Sequence, residues 1–394
     1  MKTKDVATQS MPNFRQPEFL KTMSILRKNQ PDLVSAYLMT LTALTLGMEC
    51  VFSRKAPGMP VGGLPANAEF PLPVFYEVTT GRESDFFYGP VSVRKRDQKM
   101  AALTKSKVHT RRALASAGIR TSVGGLAWPD NMTVLDELAN AGVNRILVKP
   151  NDGSFGRGVV ADVTIDDARA HIQAHPDEVF IVEQYIVGTE YRIFTVGGEY
   201  AECFAKFRNH VVGNGRKTLS KLLAERLLIQ MNNPHCRAEA IRNQAKDKFF
   251  LGSGFKLDAV PKRGEVVWLN NSIIPKGSYG TFEPSGVSDE VKKLAHDVAQ
   301  CVDADCVAID VIDRGADGTY VLEVNSKPLF SASCFPLNAA WNLRLPEAIL
   351  RNSLPAHKDR VRRIRRYDFL RLVNDFCAQK NVTAFDAKDY VKFA

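Results

Sequence analysis

The sequence predicts an α+β protein in which two larger units of strands and helices follow a small α/β unit. Two observations predict this class. Pairs of strands joined by short turns recur in both halves of the chain, and helices with recognisable N-caps lie between them. A chain of 394 residues is long enough for two or three domains with cores of their own.

The small unit is predicted to occupy residues 1–95. An apolar run from Pro31 to Leu46 indicates a buried helix that ends at Gly47, and Glu49 to Ser53 indicates a short strand. No stretch reaches the roughly 18–20 uninterrupted apolar residues that cross a bilayer. The first thirty residues carry no apolar export segment, so we expect a cytoplasmic protein without a membrane part.

We predict three further parts of the chain, residues 96–186, 187–350 and 351–394. The last of them is a basic helical tail. Helices are predicted over 105–117, 164–174, 218–230, 234–248 and 288–302. Strands are predicted over 146–148, 158–163, 179–185, 191–196, 200–207, 266–269, 306–312 and 319–324.

The charge of the chain is unevenly distributed. A formal net charge of +10 is concentrated in residues 94–112 and 351–394. We find no nucleic-acid recognition module beside these patches, so anionic substrates or a solvated helix face explain them better than nucleic acid. The seven cysteines show no CxxC spacing, which favours free thiols over a zinc site or a disulfide framework.

A glycine-rich loop between two apolar runs is the first sign of a ligand site. Lys149 ends the first run, and Gly153, Ser154, Gly156 and Gly158 follow it. Glycine lets backbone N–H groups approach an anion closely, and lysine adds a positive charge. The loop therefore fits nucleotide phosphates, although a plain hairpin turn would show similar glycines.

Two further groups of polar residues lie downstream. The run Ile181 to Ile186 carries Glu183 and Tyr185 at a strand end, where apolar walls and backbone groups suit a base. Glu190 could accept ribose hydroxyls or could be an ordinary surface hairpin residue.

Late in the chain, Asp310, Glu323 and Asn325 interrupt two β-branched runs. They offer the hard oxygen ligands that Mg²⁺ prefers. Alternation along the strand places Glu323 and Asn325 on one face. The alternative is that these side chains cap strand ends or pair with Lys and Arg.

The order of these motifs resembles that of ATP-grasp ligases. It begins with Ser106-Lys107-x-x-Thr110-Arg111 and ends with Glu323-x-Asn325-x-x-Pro328. The segment from Val211 to Thr218 is similar to one in cyanophycin synthetases and in the ligase domain of bifunctional glutathione synthetases. The resemblance covers about residues 100–350.

The resemblance implies an ATP-grasp fold, in which two α+β subdomains clamp ATP between antiparallel sheets. It implies phosphate contacts from Lys107 and Lys149, a lid formed by the backbone of residues 153–158, and two magnesium ions. The implied adenine and ribose contacts are Glu183, Tyr185, Ile186 and Glu190, and the implied metal ligands are Asp310, Glu323 and Asn325. Arg192, Arg208 and Lys276 are the cations that could stabilise a tetrahedral oxyanion during amide formation.

These implications predict an ATP-dependent carboxylate–amine ligase that acts on amino acids or small peptides. The cationic stretch 94–112 weakly favours a glutamyl acyl donor, and a homo-oligomer is compatible with the sequence. This chain departs from the relatives in the loop from Asn270 to Glu283 and at Leu329, where they usually have Gly. Both departures lie where substrates should bind, so substrate identity should not be transferred. Asn214, where the relatives usually have Asp, is a mild departure. The main rival is an ATP-binding scaffold without catalysis. A P-loop is disfavoured, because Gly213 to Thr218 lacks the leading glycine and has an arginine before the lysine.

Overall fold

The computed structural model describes residues 31–53, 55–56, 58, 67, 75–93, 103–104, 106–151, 158–207, 210–236, 256–268, 281–284, 287–337 and 340–356. Several predictions therefore lie outside the described residues. They are those for Gly153, Ser154, Gly156, Arg208, Lys276, residues 237–248 of one predicted helix, and most of the basic tail.

The N-terminal part consists of one helix and a four-stranded antiparallel sheet. Helix α1 spans Pro31–Thr45, and the strands are β1 (Glu49–Ser53), β2 (Phe75–Thr79), β3 (Ser84–Tyr88) and β4 (Val91–Ser92), in that spatial order. The sequence pattern left Phe75 to Val93 unassigned, because its apolar residues alternate poorly. The predicted helix and first strand are confirmed.

A second four-stranded sheet carries the glycine-loop motif. Helix α2 (Lys107–Ser116) precedes it, and its strands are ordered β5 (Gly124–Ala127), β8 (Phe180–Gln184), β6 (Ile146–Pro150), β7 (Val160–Val163). Helices α3 (Thr133–Asn140) and α4 (Ile165–Gln173) pack on this sheet through an apolar core that includes Leu135, Val148 and Ile172. A reciprocal capping box between Thr164 and Asp167 starts α4, and the helix predicted over 164–174 is confirmed.

A five-stranded antiparallel sheet forms the largest layer. Its strands are ordered β13 (Thr281–Pro284), β10 (Glu199–Phe207), β9 (Thr189–Val196), β14 (Cys306–Asp313), β15 (Thr319–Asn325). A 3-10 turn, Gly315–Asp317, joins the last two strands. Two predicted hairpins are confirmed. One joins β9 to β10 through Gly197-Gly198, and the other joins β14 to β15 through this 3-10 turn.

The two faces of the five-stranded sheet are covered by different parts of the chain. Helices α2 and α6 (Asp289–Cys301) pack on one face around Ile193 and Val307. The other face packs through Phe194 and Phe204 against the N-terminal part and against α7 (Ser331–Cys334) and α8 (Arg344–Ser353). Burial of these large apolar side chains is the main force that holds the layers together.

A small separate unit is formed by β11 (His210–Val212), α5 (Leu219–Met231) and β12 (Val266–Trp268). Its core contains Val211, Leu219, Leu222 and Val267. No helix in the described ranges is long and apolar enough to cross a membrane.

Candidate functional site

The polar side chains predicted to bind a nucleotide and a metal form two groups on two different sheets. The first, which we call the Glu183 cluster, consists of Glu183, Lys149, Arg111 and Ser122. The second, the Asp310 cluster, consists of Asp310, Arg192, Lys206, Glu190 and Glu323.

Strand register brings Lys149 and Glu183 together. Glu183 on β8 lies opposite Leu147 on β6, and Lys149 follows two residues later, so its side chain leaves the same face of the sheet. On its other side Glu183 lies opposite Gly124 of β5. A Cβ atom at Gly124 would lie 2.1 Å from the carbonyl oxygen of Val182, so only glycine allows this close strand approach.

The Glu183 carboxylate is buried and fully engaged. Lys149 donates to Oε1, while Arg111 and Ser122 donate to Oε2 at 2.7 and 2.8 Å. Burial alone would raise the pKa of Glu183, but the adjacent Lys149 and Arg111 charges outweigh it and hold the pKa below its usual value. The carboxylate therefore stays ionised at neutral pH.

The other residues predicted to contact the nucleotide lie on neighbouring elements. Lys107 is the first residue of α2, whose N-cap is Ser106. Ile186 is buried just beyond β8, and the ring of Tyr185 lies 6.0 Å from the Arg145 guanidinium carbon.

Gly158 is the residue at which the glycine-rich loop rejoins the described chain. Its φ is +74°, and a Cβ atom there would lie 2.6 Å from Cγ of Pro150. Glycine therefore lets the loop end pack against the residue that follows Lys149.

The Asp310 cluster is set by register across three strands. Asp310 of β14 lies opposite Arg192 of β9 and opposite Glu323 of β15. Asn325 lies opposite Ala308, two residues before Asp310, so Asp310, Glu323 and Asn325 share one face, as predicted for the latter two.

Asp310 is engaged by two cations. The Arg192 guanidinium donates to both carboxylate oxygens, with Nε–Oδ1 at 2.8 Å and Nη2–Oδ2 at 2.6 Å. The Lys206 Nζ lies 3.7 Å from Oδ1 and also bonds to Glu190. The ion-pair alternative raised from the sequence thus describes Asp310 in this structure, and Glu190 is paired with Lys206 as well.

Electrostatics keeps Asp310, Arg192 and Lys206 charged. Burial opposes ionisation of Asp310, but Arg192 and then Lys206 lower its pKa to about 2. Burial likewise opposes the charge on Arg192 and on Lys206, but the neighbouring carboxylates, Asp310 above all, raise the pKa of each.

A magnesium ion fits the oxygen donors on this face. Glu323 and Asn325 offer a carboxylate and an amide oxygen two residues apart on β15. The Oδ2 of Asp310 has a second lone pair beyond the one used by Arg192, whereas Oδ1 also faces Lys206, so Oδ2 is the oxygen left for a metal or its water. No group of three or more His, Cys, Asp or Glu with metal-binding geometry occurs in the part of the chain that the structure describes, so the donor set depends on Asn325.

Sequence reasoning missed three members of the two groups. Arg111 lies four residues after Lys107, one helical turn away on the same face of α2, so helical spacing could have pointed to it. Ser122 and Lys206 carried no such signal, because only the pairing of distant strands brings them to Glu183 and Asp310.

The segment Gly213 to Thr218 forms a turn that begins a helix. The Asn214 Oδ1 accepts from the backbone N–H groups of Arg216 and Lys217 at 2.9 and 2.8 Å, and Thr218 caps α5. This side-chain-stabilised turn differs from a P-loop, in which the backbone N–H groups must remain available to phosphate.

The fold is shared with proteins of known structure. Residues 273–341 match the model of the RimK-like ATP-grasp domain. The crystal structure of a bifunctional glutathione synthetase from Pasteurella multocida superposes with a TM-score of 0.56 at 18% identity, over 82% of this chain and 44% of that one. The chain has an ATP-grasp fold.

Among curated proteins, the chain is similar to two kinds of ligase. It is 27% identical over 258 residues to the cyanophycin synthetase of Trichormus variabilis, which covers 59% of this chain and 27% of that protein. It is 25% identical over 249 residues to the glutathione biosynthesis bifunctional protein GshAB of Listeria innocua, which covers 59% of this chain and 32% of that protein. The predicted resemblance is confirmed, and the chain spans about a third or less of these relatives.

Proposed function

We propose that this chain is an ATP- and Mg²⁺-dependent carboxylate–amine ligase that forms an amide bond through an acyl phosphate. The observation that carries the proposal is the pairing of Lys149 with Glu183 on adjacent strands of one sheet, while Asp310, Glu323 and Asn325 share a face of the other. The similarity to cyanophycin synthetase and GshAB supports the same reaction class.

In this proposal the four-stranded sheet of the Glu183 cluster holds most of the nucleotide, and α2 and β9 supply the remaining contacts. Lys107 and Lys149 bind phosphates, and the backbone of residues 153–158 closes over them. Glu183, Tyr185 and Ile186 flank the adenine, and Glu190 accepts the ribose hydroxyls. Because Glu190 is bonded to Lys206 in this structure, ribose binding requires that Glu190 share or exchange that bond.

The five-stranded sheet handles the transferred phosphoryl group. Asp310, Glu323 and Asn325 would hold two magnesium ions, which neutralise the negative charge that builds up as the γ-phosphoryl group moves. Arg192 orients Asp310 with two of its five N–H donors and keeps three for a substrate oxygen. Arg208 and Lys276 are proposed as further cations beside the tetrahedral oxyanion.

The substrates proposed are an amino acid or small peptide as acyl donor and an amine as acceptor. A cationic stretch at residues 94–112 suits an acidic donor such as a glutamyl compound. The protein is proposed to act in the cytoplasm.

The first experiment is a substrate screen. The protein is incubated with ATP, Mg²⁺ and pooled amino acids and dipeptides, and ADP release is followed while products are identified by mass spectrometry. We expect ADP release that depends on the pool, and a product mass equal to the two substrates minus water. ATP binding without pool-dependent ADP release would instead support a non-catalytic scaffold.

A further inference from the structure

The segment that carries α2 is fixed to the five-stranded sheet. The Thr104 hydroxyl donates to the Ser326 hydroxyl at 2.8 Å, directly after β15. The Val321 N–H donates to the carbonyl of Arg120 at 2.9 Å, and the Arg120 guanidinium lies 5.3 Å from the ring centroid of Tyr320. Helix α2 is therefore anchored to the five-stranded sheet, which carries the proposed metal site.

The same segment reaches the other sheet through a backbone hydrogen bond from the Gln184 N–H to the Val123 carbonyl at 2.9 Å and through the Glu183 carboxylate. Arg111 and Ser122 both donate to Oε2 of Glu183, and Lys149 donates to Oε1. One oxygen of Glu183 thus faces α2 and the residue Ser122 just before β5, and the other faces Lys149. Glu183 is the point at which the position of α2 can affect Lys149.

The charges of this group do not balance. Two cations and one carboxylate give the Glu183 cluster a formal net charge of +1. The side chains of Arg111, Lys149 and Glu183 are only 13%, 16% and 5% exposed, so water screens this excess charge weakly. A partly buried excess positive charge is costly unless an anion compensates it.

We propose that Arg111 is a positioning residue that acts through Glu183 and keeps Lys149 available for the phosphates of the nucleotide. Arg111 occupies one oxygen of the carboxylate, so Glu183 orients Lys149 without neutralising it fully. Without Arg111, Lys149 and Glu183 would form a neutral pair with less attraction for phosphate. The inference rests on the ATP site of the proposed function but not on the ligase chemistry.

The test compares affinities for ATP and adenosine, measured by isothermal titration calorimetry. We expect Arg111→Met to raise the Kd for ATP by about tenfold or more, since Glu183 then neutralises Lys149 and the net charge of the Glu183 cluster falls from +1 to zero. The Kd for adenosine should stay within about twofold, because adenosine has no phosphate. Arg111→Lys keeps the charge and should retain most of the ATP affinity.

A charge-balanced double variant shows whether the effect passes through Glu183. Combining Arg111→Met with Glu183→Gln restores a net charge of +1, now carried by Lys149 alone. Because Glu183 is also proposed to flank the adenine, the double variant is judged by its ATP affinity relative to its adenosine affinity. This ratio should be higher than in Arg111→Met, giving a coupling that separate contributions would not produce. The matched control is Arg169→Met, which removes an arginine from a more exposed pair with Asp136 and should leave the ATP affinity unchanged.

The outcomes separate the inference from the proposed function. Unchanged ATP affinity in Arg111→Met, or equal losses for ATP and adenosine, would overturn the positioning role while leaving a ligase intact. A double variant whose ATP affinity, relative to its adenosine affinity, is no better than that of Arg111→Met would show that Arg111 does not act through Glu183. Selective loss of ATP binding in a protein that ligates nothing would support the inference and overturn the function. A wild-type chain that does not bind ATP would overturn both.

Discussion

Replacing Asp310 with asparagine should destabilise the protein in a pH-dependent way. Asp310 is 5% exposed and accepts two hydrogen bonds from Arg192, with Lys206 at 3.7 Å. Asparagine keeps the size of the side chain but removes its charge. Two partly buried cations, with side chains 24% and 25% exposed, are then left with Glu190 and Glu323 as the neighbouring carboxylates among the residues that the structure describes.

The magnitude follows from the burial of the pair. Removing one partner of a buried, hydrogen-bonded ion pair costs about 3–5 kcal/mol. Part of this cost depends on pH, because the pKa of Asp310 falls from its usual 3.8 to about 2. A depressed carboxyl pKa stabilises the fold above the unfolded-state pKa, and the stabilisation is lost as the pH falls. At pH 7 this difference corresponds to about 2 kcal/mol, of which about 1 kcal/mol should be gone by pH 3.

The assay is urea unfolding of the wild type and Asp310→Asn at pH 7 and at pH 3, followed by circular dichroism. We expect the wild type to be more stable by several kcal/mol at pH 7 and the gap to narrow at pH 3. Asp136→Asn is the control, because its pair with Arg169 is more exposed and should contribute about 0–1 kcal/mol. Equal stability of wild type and Asp310→Asn, or a gap that does not change with pH, would refute this reasoning.

Three further predictions test other parts of the structure. Gly124→Ala should destabilise the protein by more than about 3 kcal/mol in thermal unfolding, because the added Cβ would lie 2.1 Å from a carbonyl oxygen. Gly118→Ala is the control and should cost about 1–2 kcal/mol, because Gly118 has positive φ but open space around it. Equal effects of the two substitutions would contradict the packing argument. Thr164→Ala should cost about 1 kcal/mol in urea unfolding through loss of the α4 capping box, and no change would contradict the assigned cap. Glu323→Gln should lower ATP-dependent turnover more than about a thousandfold. Asp297→Asn, on an exposed part of α6, is the control and should not lower turnover. Near-normal activity of Glu323→Gln would remove Glu323 from the proposed metal site.

Local patterns allowed most regular elements to be predicted. Three helices begin at residues with typical N-cap side chains, Thr164, Thr218 and Ser288. In the structure each of these side chains accepts a hydrogen bond from a backbone N–H in the first turn of its helix. The glycine pair 197–198 likewise indicates its hairpin, because both residues adopt positive φ.

Elements with weak local signals were not predicted. Strand β5 begins with two glycines and depends on pairing with β8, and α3 has no side-chain N-cap. Both are stabilised by burial of Ala127 and Leu135 in a core that forms only when distant segments meet. The pattern of a short segment therefore contains too little information to predict them.

The candidate site also combines features that local sequence patterns predict with features that they do not. Asp310, Glu323 and Asn325 could be placed on one face from alternation and hairpin pairing, which are local. The engagement of Asp310 by Arg192 and Lys206 depends on the order β10, β9, β14 in the sheet, and that order is not encoded in any single segment. The assignment of these residues to metal, nucleotide and oxyanion, and the domain boundaries at 95, 186 and 350, stay predictions.

The most direct test of acyl-phosphate ligation is an isotope-transfer measurement. The protein is given ATP, Mg²⁺ and amino acids labelled with ¹⁸O in the carboxyl group, and the released inorganic phosphate is analysed by mass spectrometry. If the carboxylate attacks the γ-phosphoryl group and an amine then displaces the phosphate, one ¹⁸O atom must pass from the acyl donor into phosphate, with ADP formed in equal amount. Release of AMP and pyrophosphate, or of phosphate without ¹⁸O while an amide product accumulates, would contradict the account.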